Sequence, residues 1–200
     1  MRKVIALSIG AAVALWAASE ASADTIHKSV AGHRFEVPQD YLFDAPIAWL
    51  PAPESDSFTF LPEPNPNPDF IPEHRFVVQP LAGRCSGGAS EMMRVACGQE
   101  QELVAATPQY ERRPNELGSW SSDLFIVARD ARSQALRRQQ VAYCQLLEPN
   151  PAMPKPTNLC TTVWSYKGML LQFKFDEADV GRLQAMKAQA MALLDRWEIR

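Results

Sequence analysis

The stretch from Asn158 to Trp197 constrains the fold more than any other part of the chain. NLCTTVWSYKG and MLLQFKFD are two runs of alternating apolar and polar residues on either side of Lys167-Gly168. That dipeptide is a tight-turn signal, because glycine supplies the positive φ that two-residue hairpin turns need. In the returning run Leu171, Phe173 and Phe175 face one way and Gln172 and Lys174 the other. Pairing Tyr166 with Met169 fixes the register and sets Trp164 across from Leu171, and such cross-strand pairs contribute roughly 0.2–1 kcal/mol each. Asp176 then caps a helix, with Asp179 three residues on as a partial capping box. Val180, Leu183, Met186, Ala190, Leu193 and Trp197 recur at steps of three and four, which predicts one apolar face of a helix of about 20 residues. Arg182, Lys187 and Arg196 fall mostly off that face. A hairpin that runs straight into such a helix requires the helix to lie across the sheet and close its core.

Upstream, the same period-two signal recurs in short pieces. Ile26 to Val30 and His33 to Val37 read as a hairpin about Ala31-Gly32, with Phe35 and Val37 on one face and Arg34 and Glu36 on the other. Pro38 ends the second strand, since proline cannot donate to a ladder. Ser57 to Leu61 and Arg75 to Leu81 are further strands, the latter interrupted by Pro80. Asp123 to Arg129 is a more continuous apolar run and reads as a central strand. QQVAYCQLLE, from Gln139, is another strand, joined to NLCTTVWSYKG by the proline-rich loop EPNPAMPKPTN. Glu91 to Ala96 reads as a strand and Gln99 to Ala106 as a short helix. There is no βαβ alternation and no internal repeat. The expected class is α+β: an antiparallel sheet with a C-terminal amphipathic helix packed on one face.

The first 23 residues have the form of a secretory signal peptide. Arg2 and Lys3 precede an apolar run, VIALSIGAAVALWAA, and Ala21-Ser22-Ala23 is an A-x-A cleavage site. The apolar run is shorter than the ~20 residues that span a bilayer. Residues 24–200 are therefore expected to form one soluble α+β domain in a bacterial periplasm, with no membrane attachment after cleavage. The four cysteines fit that compartment. Four cysteines allow three connectivities. The loop EPNPAMPKPTN can set Cys144 opposite Cys160, and closeness in sequence favours Cys85 with Cys97. Each bridge would close a short loop, worth roughly 3 kcal/mol in the chain-entropy picture. No C-x-x-C is present, so neither a thioredoxin-type centre nor a zinc ribbon is indicated.

Losing Arg2, Lys3 and Glu20 takes the formal net charge from −3 to −4. An acidic balance argues against nucleic acid, whose phosphates call for concentrated Lys and Arg. Arg112-Arg113 and Arg137-Arg138 are isolated pairs and read as solvated surface. No G-x-S-x-G, H-E-x-x-H or glycine-rich phosphate loop occurs. His27 and His33 flank a hairpin turn, but a zinc site needs four ligands, or three and a water. The sole compact acid–histidine cluster is Asp69, Glu73 and His74. It implies no catalytic residue, metal or cofactor by itself.

That cluster borders FLPEPNPNPDFIPEHRF, part of a stretch with seven prolines from Pro51 to Pro72. A hairpin as small as the N-terminal one does not stand alone, so the stretch connects strands rather than domains. Alternating prolines hold it extended, with few backbone donors to satisfy. Phe70 and Ile71 would then sit on a stiff support beside Glu73 and His74, the arrangement of a preorganised contact. The simpler expectation is that both apolar side chains tuck beneath the loop and pin it.

Gly32-His33-Arg34-Phe35-Glu36-Val37-Pro38-Gln39-Asp40-Tyr41 resembles the G-x-x-F-x-(V/I)-P-x-x-Y opening of many small exported proteobacterial proteins, some of which are immunity-like: they bind and block a toxin delivered by a neighbouring cell. The order of sheet and C-terminal helix is also similar to PsbP-like proteins. The resemblance implies a non-catalytic protein whose partner is a periplasmic or incoming protein, and it carries no site residues over. The alternative is a hydrolase or metal-dependent envelope enzyme working through Asp69, Glu73 and His74. Material released by osmotic shock should have the intact mass of a chain beginning at Asp24; a mass that retains residues 1–23 would refute cleavage.

Overall fold

The computed structural model describes residues 24–43, 56–65, 74–85, 90–105, 108–115, 118–129, 135–149 and 157–199. The proposed signal segment and Phe70, Ile71 and Glu73 lie outside that set. The described strands form two antiparallel sheets. The smaller contains β1 (Thr25–Val30), β2 (His33–Pro38) and β10 (Glu198–Ile199), in the order β1-β2-β10. The larger contains β3 (Phe58–Phe60), β4 (Arg75–Pro80), β5 (Gln109–Asn115), β6 (Gly118–Arg129), β7 (Leu136–Leu147), β8 (Thr157–Tyr166) and β9 (Met169–Asp176), in the order β3-β4-β9-β8-β7-β6-β5. Two helices join them: α1 (Glu91–Ala96) and the C-terminal α2 (Leu183–Trp197). The architecture is sheet-dominated with a C-terminal helix, α+β only in a loose sense. Among the described residues no helix is long and apolar enough to cross a membrane.

Both hairpins turn where the sequence places them. Ala31 and Gly32 have φ of 52° and 81°, and Lys167 and Gly168 have 48° and 76°. Positive φ at both central residues is the turn whose twist matches the flanking strands. The register follows: Trp164 pairs with Leu171 and Tyr166 with Met169. Asp176 accepts from the Ala178 backbone N–H and caps a 3-10 turn (Glu177–Arg182) that leads into α2. Leu183, Met186, Ala190, Leu193, Leu194 and Trp197 are buried along α2. They meet Phe35 and Val37 of β2, Phe58 and Phe60 of β3, Phe76 of β4 and Phe173 and Phe175 of β9 in one core.

Cys144 and Cys160 are register partners on adjacent strands and are disulfide-bonded, as are Cys85 and Cys97. Three local expectations are corrected. Glu91–Ala96 is a helix rather than a strand, because Ser90 accepts from Met93 N at its start and Cys97 closes its end in a disulfide. Residues 99–105 contain no helix. Their backbone is tied instead to a side chain, Gln139, through Leu103 N–H to Oε1 and Nε2–H to Gln101 O. Asp123–Arg129 belongs to β6, next to the edge strand β5 rather than at the centre of the sheet. Its continuous apolar character comes from Leu124 and Ile126 in the core with Phe125 and Val127 part-exposed on the other face.

A polar clasp joins the two sheets. Lys167, in the β8–β9 turn, contacts Asp195 and Glu198 at 2.6 Å each. His33 reaches the same Glu198 through Nδ1 and donates from Nε2 to Lys167 O at 2.9 Å. The hydrogen bonds to Asp195 and Glu198 push the Lys167 ammonium above the usual lysine range. Lys167 in turn holds both carboxyls below theirs, helped by Tyr166 at Asp195 and by His33 at Glu198.

Trp197 stands edge-on to Phe60 and Tyr41, with ring centroids 5.3 and 5.1 Å away. Trp197→Ala should cost about 3–5 kcal/mol through lost burial and a residual cavity, read as a lower denaturant midpoint at unchanged slope. A melt matching the parent would show that α2 is not packed in this way.

Candidate functional site

Of the acid–histidine cluster, only His74 is among the described residues. Its ring lies 6.0 Å from that of Phe173, and Nε2 is 2.9 Å from Asp179 Oδ2. The separation is that of an ion pair, but the N–H does not align as a hydrogen bond. His74 thus ties the start of β4 to the 3-10 turn before α2. His33 belongs to the clasp, while His27 is exposed on β1 opposite Glu36. Among the described residues no three His, Cys, Asp or Glu side chains come together as metal ligands.

A cavity of about 40 Å³ opens where β7 and β8 part. Their ladder runs from Leu147↔Thr157 only to Tyr143↔Thr161. Beyond it, α1 and residues 101–105 enter the gap, and Glu91 accepts from Gln140 N–H at 3.1 Å. Lys187 and Trp164 line the cavity, with the ammonium 5.9 Å from the indole centroid and paired to Glu102 at 2.8 Å. Trp164 Nε1–H is buried without a partner. The space suits one or two waters, not an organic substrate.

A row of polar side chains crosses the sheet face turned away from α2. Successive registers place Arg75 beside Lys174, Lys174 beside Thr161, Thr161 beside Tyr143, Tyr143 beside Asp123, and Asp123 beside Arg113. These residues form one row across six strands. Five inter-strand spacings of ~4.8 Å give it a length of about 24 Å. In the adjacent row Phe76 and Phe173 are fully buried, because side chains alternate between faces along each strand.

The two ends are basic in different ways. At one end Arg75 and Lys174 stand directly opposite each other, and among the described residues no carboxylate pairs with either. The Arg75 guanidinium lies 5.7 Å from the Phe43 ring centroid. Partial burial, and then the Arg75 charge, lower the Lys174 pKa. At the other end Glu111 Oε1 accepts from Nε and Nη2 of Arg113 at 3.0 and 2.8 Å, while Oε2 accepts from Arg138 Nε at 2.8 Å. Arg113 also sits 5.8 Å from the ring centroid of the part-exposed Phe125. These two hydrogen-bonding arginines, Arg113 first, hold the Glu111 carboxyl below the usual range. Asp123 accepts from Gln140 Nε2 at 2.8 Å.

The expectation of isolated, solvated arginine pairs is therefore replaced by a shared cluster. Arg113 and Arg138 converge on Glu111, while Arg112 turns to the other face and donates to Ser122 Oγ and Glu177. The sequence signal was the alternation of Glu111 and Arg113 two residues apart, a strand period within a run that includes Pro114 and lacks apolar alternation. The Arg75–Lys174 pair was legible only once two distant strands were put in register.

No family model and no curated protein matches the chain. A solved structure of an immunity protein of the Stenotrophomonas maltophilia type IV secretion system is similar at 10% identity with a TM-score of 0.46, covering 89% of this chain and 94% of that one.

In an NMR titration the Glu111 carboxyl should lose its proton below the usual glutamate range, and Arg113→Gln should raise that midpoint more than Arg138→Gln. Lys174 should titrate below a free lysine, and Arg75→Gln should restore it only in part, because burial is the larger cause. Ordinary midpoints for both groups would contradict the row as described.

Proposed function

We propose that this is an exported protein, matured by loss of residues 1–23, that acts by binding another protein and not by catalysis, in the manner of an immunity protein. The observation that carries the reading is the polar row from Arg75 to Arg113. It combines arginine, tyrosine and a neighbouring part-exposed phenylalanine on a rigid sheet, the residue types that dominate protein interfaces. Leu136, exposed at the start of β7 on the same face as Arg138, adds an apolar side chain beside that end of the row. The G-x-x-F-x-(V/I)-P-x-x-Y opening and the exported, disulfide-stapled character agree with this reading. In the same reading, Phe70, Ile71 and Glu73 beside His74 border the partner-binding surface. The enzymatic alternative draws no support from His74, whose imidazole is occupied by Asp179 and Phe173.

Tagged mature protein should retain one protein species from periplasmic extract or culture filtrate, and the two should co-elute as a stoichiometric complex in size-exclusion chromatography. A chain that always elutes alone, from its own strain's fractions and those of competing strains, would overturn the proposal.

A further inference from the structure

We infer that the polar row recognises an acidic protein segment that carries two carboxylate clusters roughly 20 Å apart, one for each basic end. The inference rests on the protein-binding reading and adds the chemistry of the partner. The chain as a whole is acidic, with 23 Asp and Glu against 20 Lys and Arg. The row and its neighbours reverse that balance locally: Arg75, Lys174, Arg113 and Arg138 face Glu111 and Asp123. A basic face on an acidic protein selects a partner of opposite sign and speeds encounter with it.

The two ends supply different contacts. Glu111 binds Arg113 through Nε and Nη2 and Arg138 through Nε alone, so it fixes both guanidinium planes while leaving further N–H donors on each. Guanidinium groups held in place lose less freedom when a carboxylate docks in fork geometry. At the far end Arg75 and Lys174 are like charges directly opposite each other, an arrangement that is unfavourable in a sheet. A carboxylate brought in from outside removes that repulsion. Tyr143 and Thr161 between the ends offer hydroxyls and no charge. A single point anion therefore satisfies one end only, and a segment with acid at both ends satisfies the row.

The test uses a defined probe on the isotope-labelled mature protein. One peptide carries three glutamates at each end of a spacer of twelve Gly and Ser residues, whose r.m.s. span is roughly 19 Å. A second carries one glutamate block only. The two-block peptide should shift the resonances of Arg75, Lys174, Tyr143, Asp123 and Arg113 and bind at least tenfold more tightly than the one-block peptide. Arg113→Gln with Arg138→Gln, or Arg75→Gln with Lys174→Gln, should each remove that tenfold advantage while thermal melts show the fold retained. Equal affinity of the two peptides, shifts spread away from the row, or the same shifts from inorganic sulfate at matched ionic strength would overturn the inference. A natural protein partner that binds all four substitutions combined as it binds the parent would also overturn it, while leaving the protein-binding reading intact. Peptide binding on the row with no protein partner found would separate the two in the opposite sense.

Discussion

Phe60, Phe76 and Phe173 are direct register neighbours on β3, β4 and β9, and their rings stack at 5.0 and 4.4 Å. Phe175 extends the stack along β9 at 5.4 Å. Aromatic pairs add about 0.5–1.5 kcal/mol beyond their buried area, but their larger effect here is positional. The stack is the surface on which α2 rests, with Trp197 edge-on to Phe60 at one end. Once α2 is seated, its C-terminal end is fixed against the first hairpin: Glu198 and Ile199 pair with Phe35 and Arg34. The clasp of Lys167, Asp195, Glu198 and His33 then closes the same junction from the β8–β9 turn. A short N-terminal hairpin would not be stable alone, and here the helix and the clasp both hold it.

The other constraint is the parting of β7 from β8. Backbone N–H and C=O groups left over where a ladder stops must find other partners. The protein meets part of that requirement with Glu91 at Gln140 N–H and covers the gap with α1 and residues 101–105. A register shift between Leu124 and Phe125 marks where β6 and β7 adjust to the same divergence. The disulfide from Cys144 to Cys160 lies one residue from Tyr143↔Thr161, the last pair before the strands separate. The polar row runs through that last pair, so its two halves belong to parts of the sheet that are fixed to each other there.

Much of this was legible in the sequence wherever short-range chemistry decides. The Ala31-Gly32 and Lys167-Gly168 turns, the capping by Asp176 and the apolar stripe of α2 depend on residues within a few positions of each other. Leu194 joins the buried stripe beside Leu193 because α2 is overlaid by both the large sheet and the first hairpin. The failures have a common origin. Glu91–Ala96 has a single β-branched residue, Val95, among good helix formers, and a six-residue helix is too short for periodicity to separate it from a strand. Its cap at Ser90 and its closure by Cys97 decide the matter. The strand from Gln109 carries Glu111, Arg112, Arg113 and Pro114, and hides from an apolar alternation because it is an edge. Charge and proline on an edge strand also block pairing with other chains. The row itself has no local signature, since its members come from six strands and meet only through register.

The basic ends of the row bear on stability as well as recognition. At the Arg113 end one carboxylate, Glu111, is shared by two guanidinium groups, so that end contributes direction and donor geometry. At the Lys174 end the repulsion from Arg75 is opposed by no carboxylate among the described residues, and partial burial of Lys174 adds a desolvation cost to its charged form. Both penalties belong to the free protein. In the proposed complex a bound carboxylate would relieve them, so part of the binding free energy there would be the release of an unfavourable feature of the unbound fold. Any such ligand that binds the folded chain and not the unfolded one raises stability by mass action. The uncharged Tyr143 and Thr161 at the centre of the row confine charge to its two ends, so the proposed acidic partner would gain most where Arg75 and Lys174 repel each other.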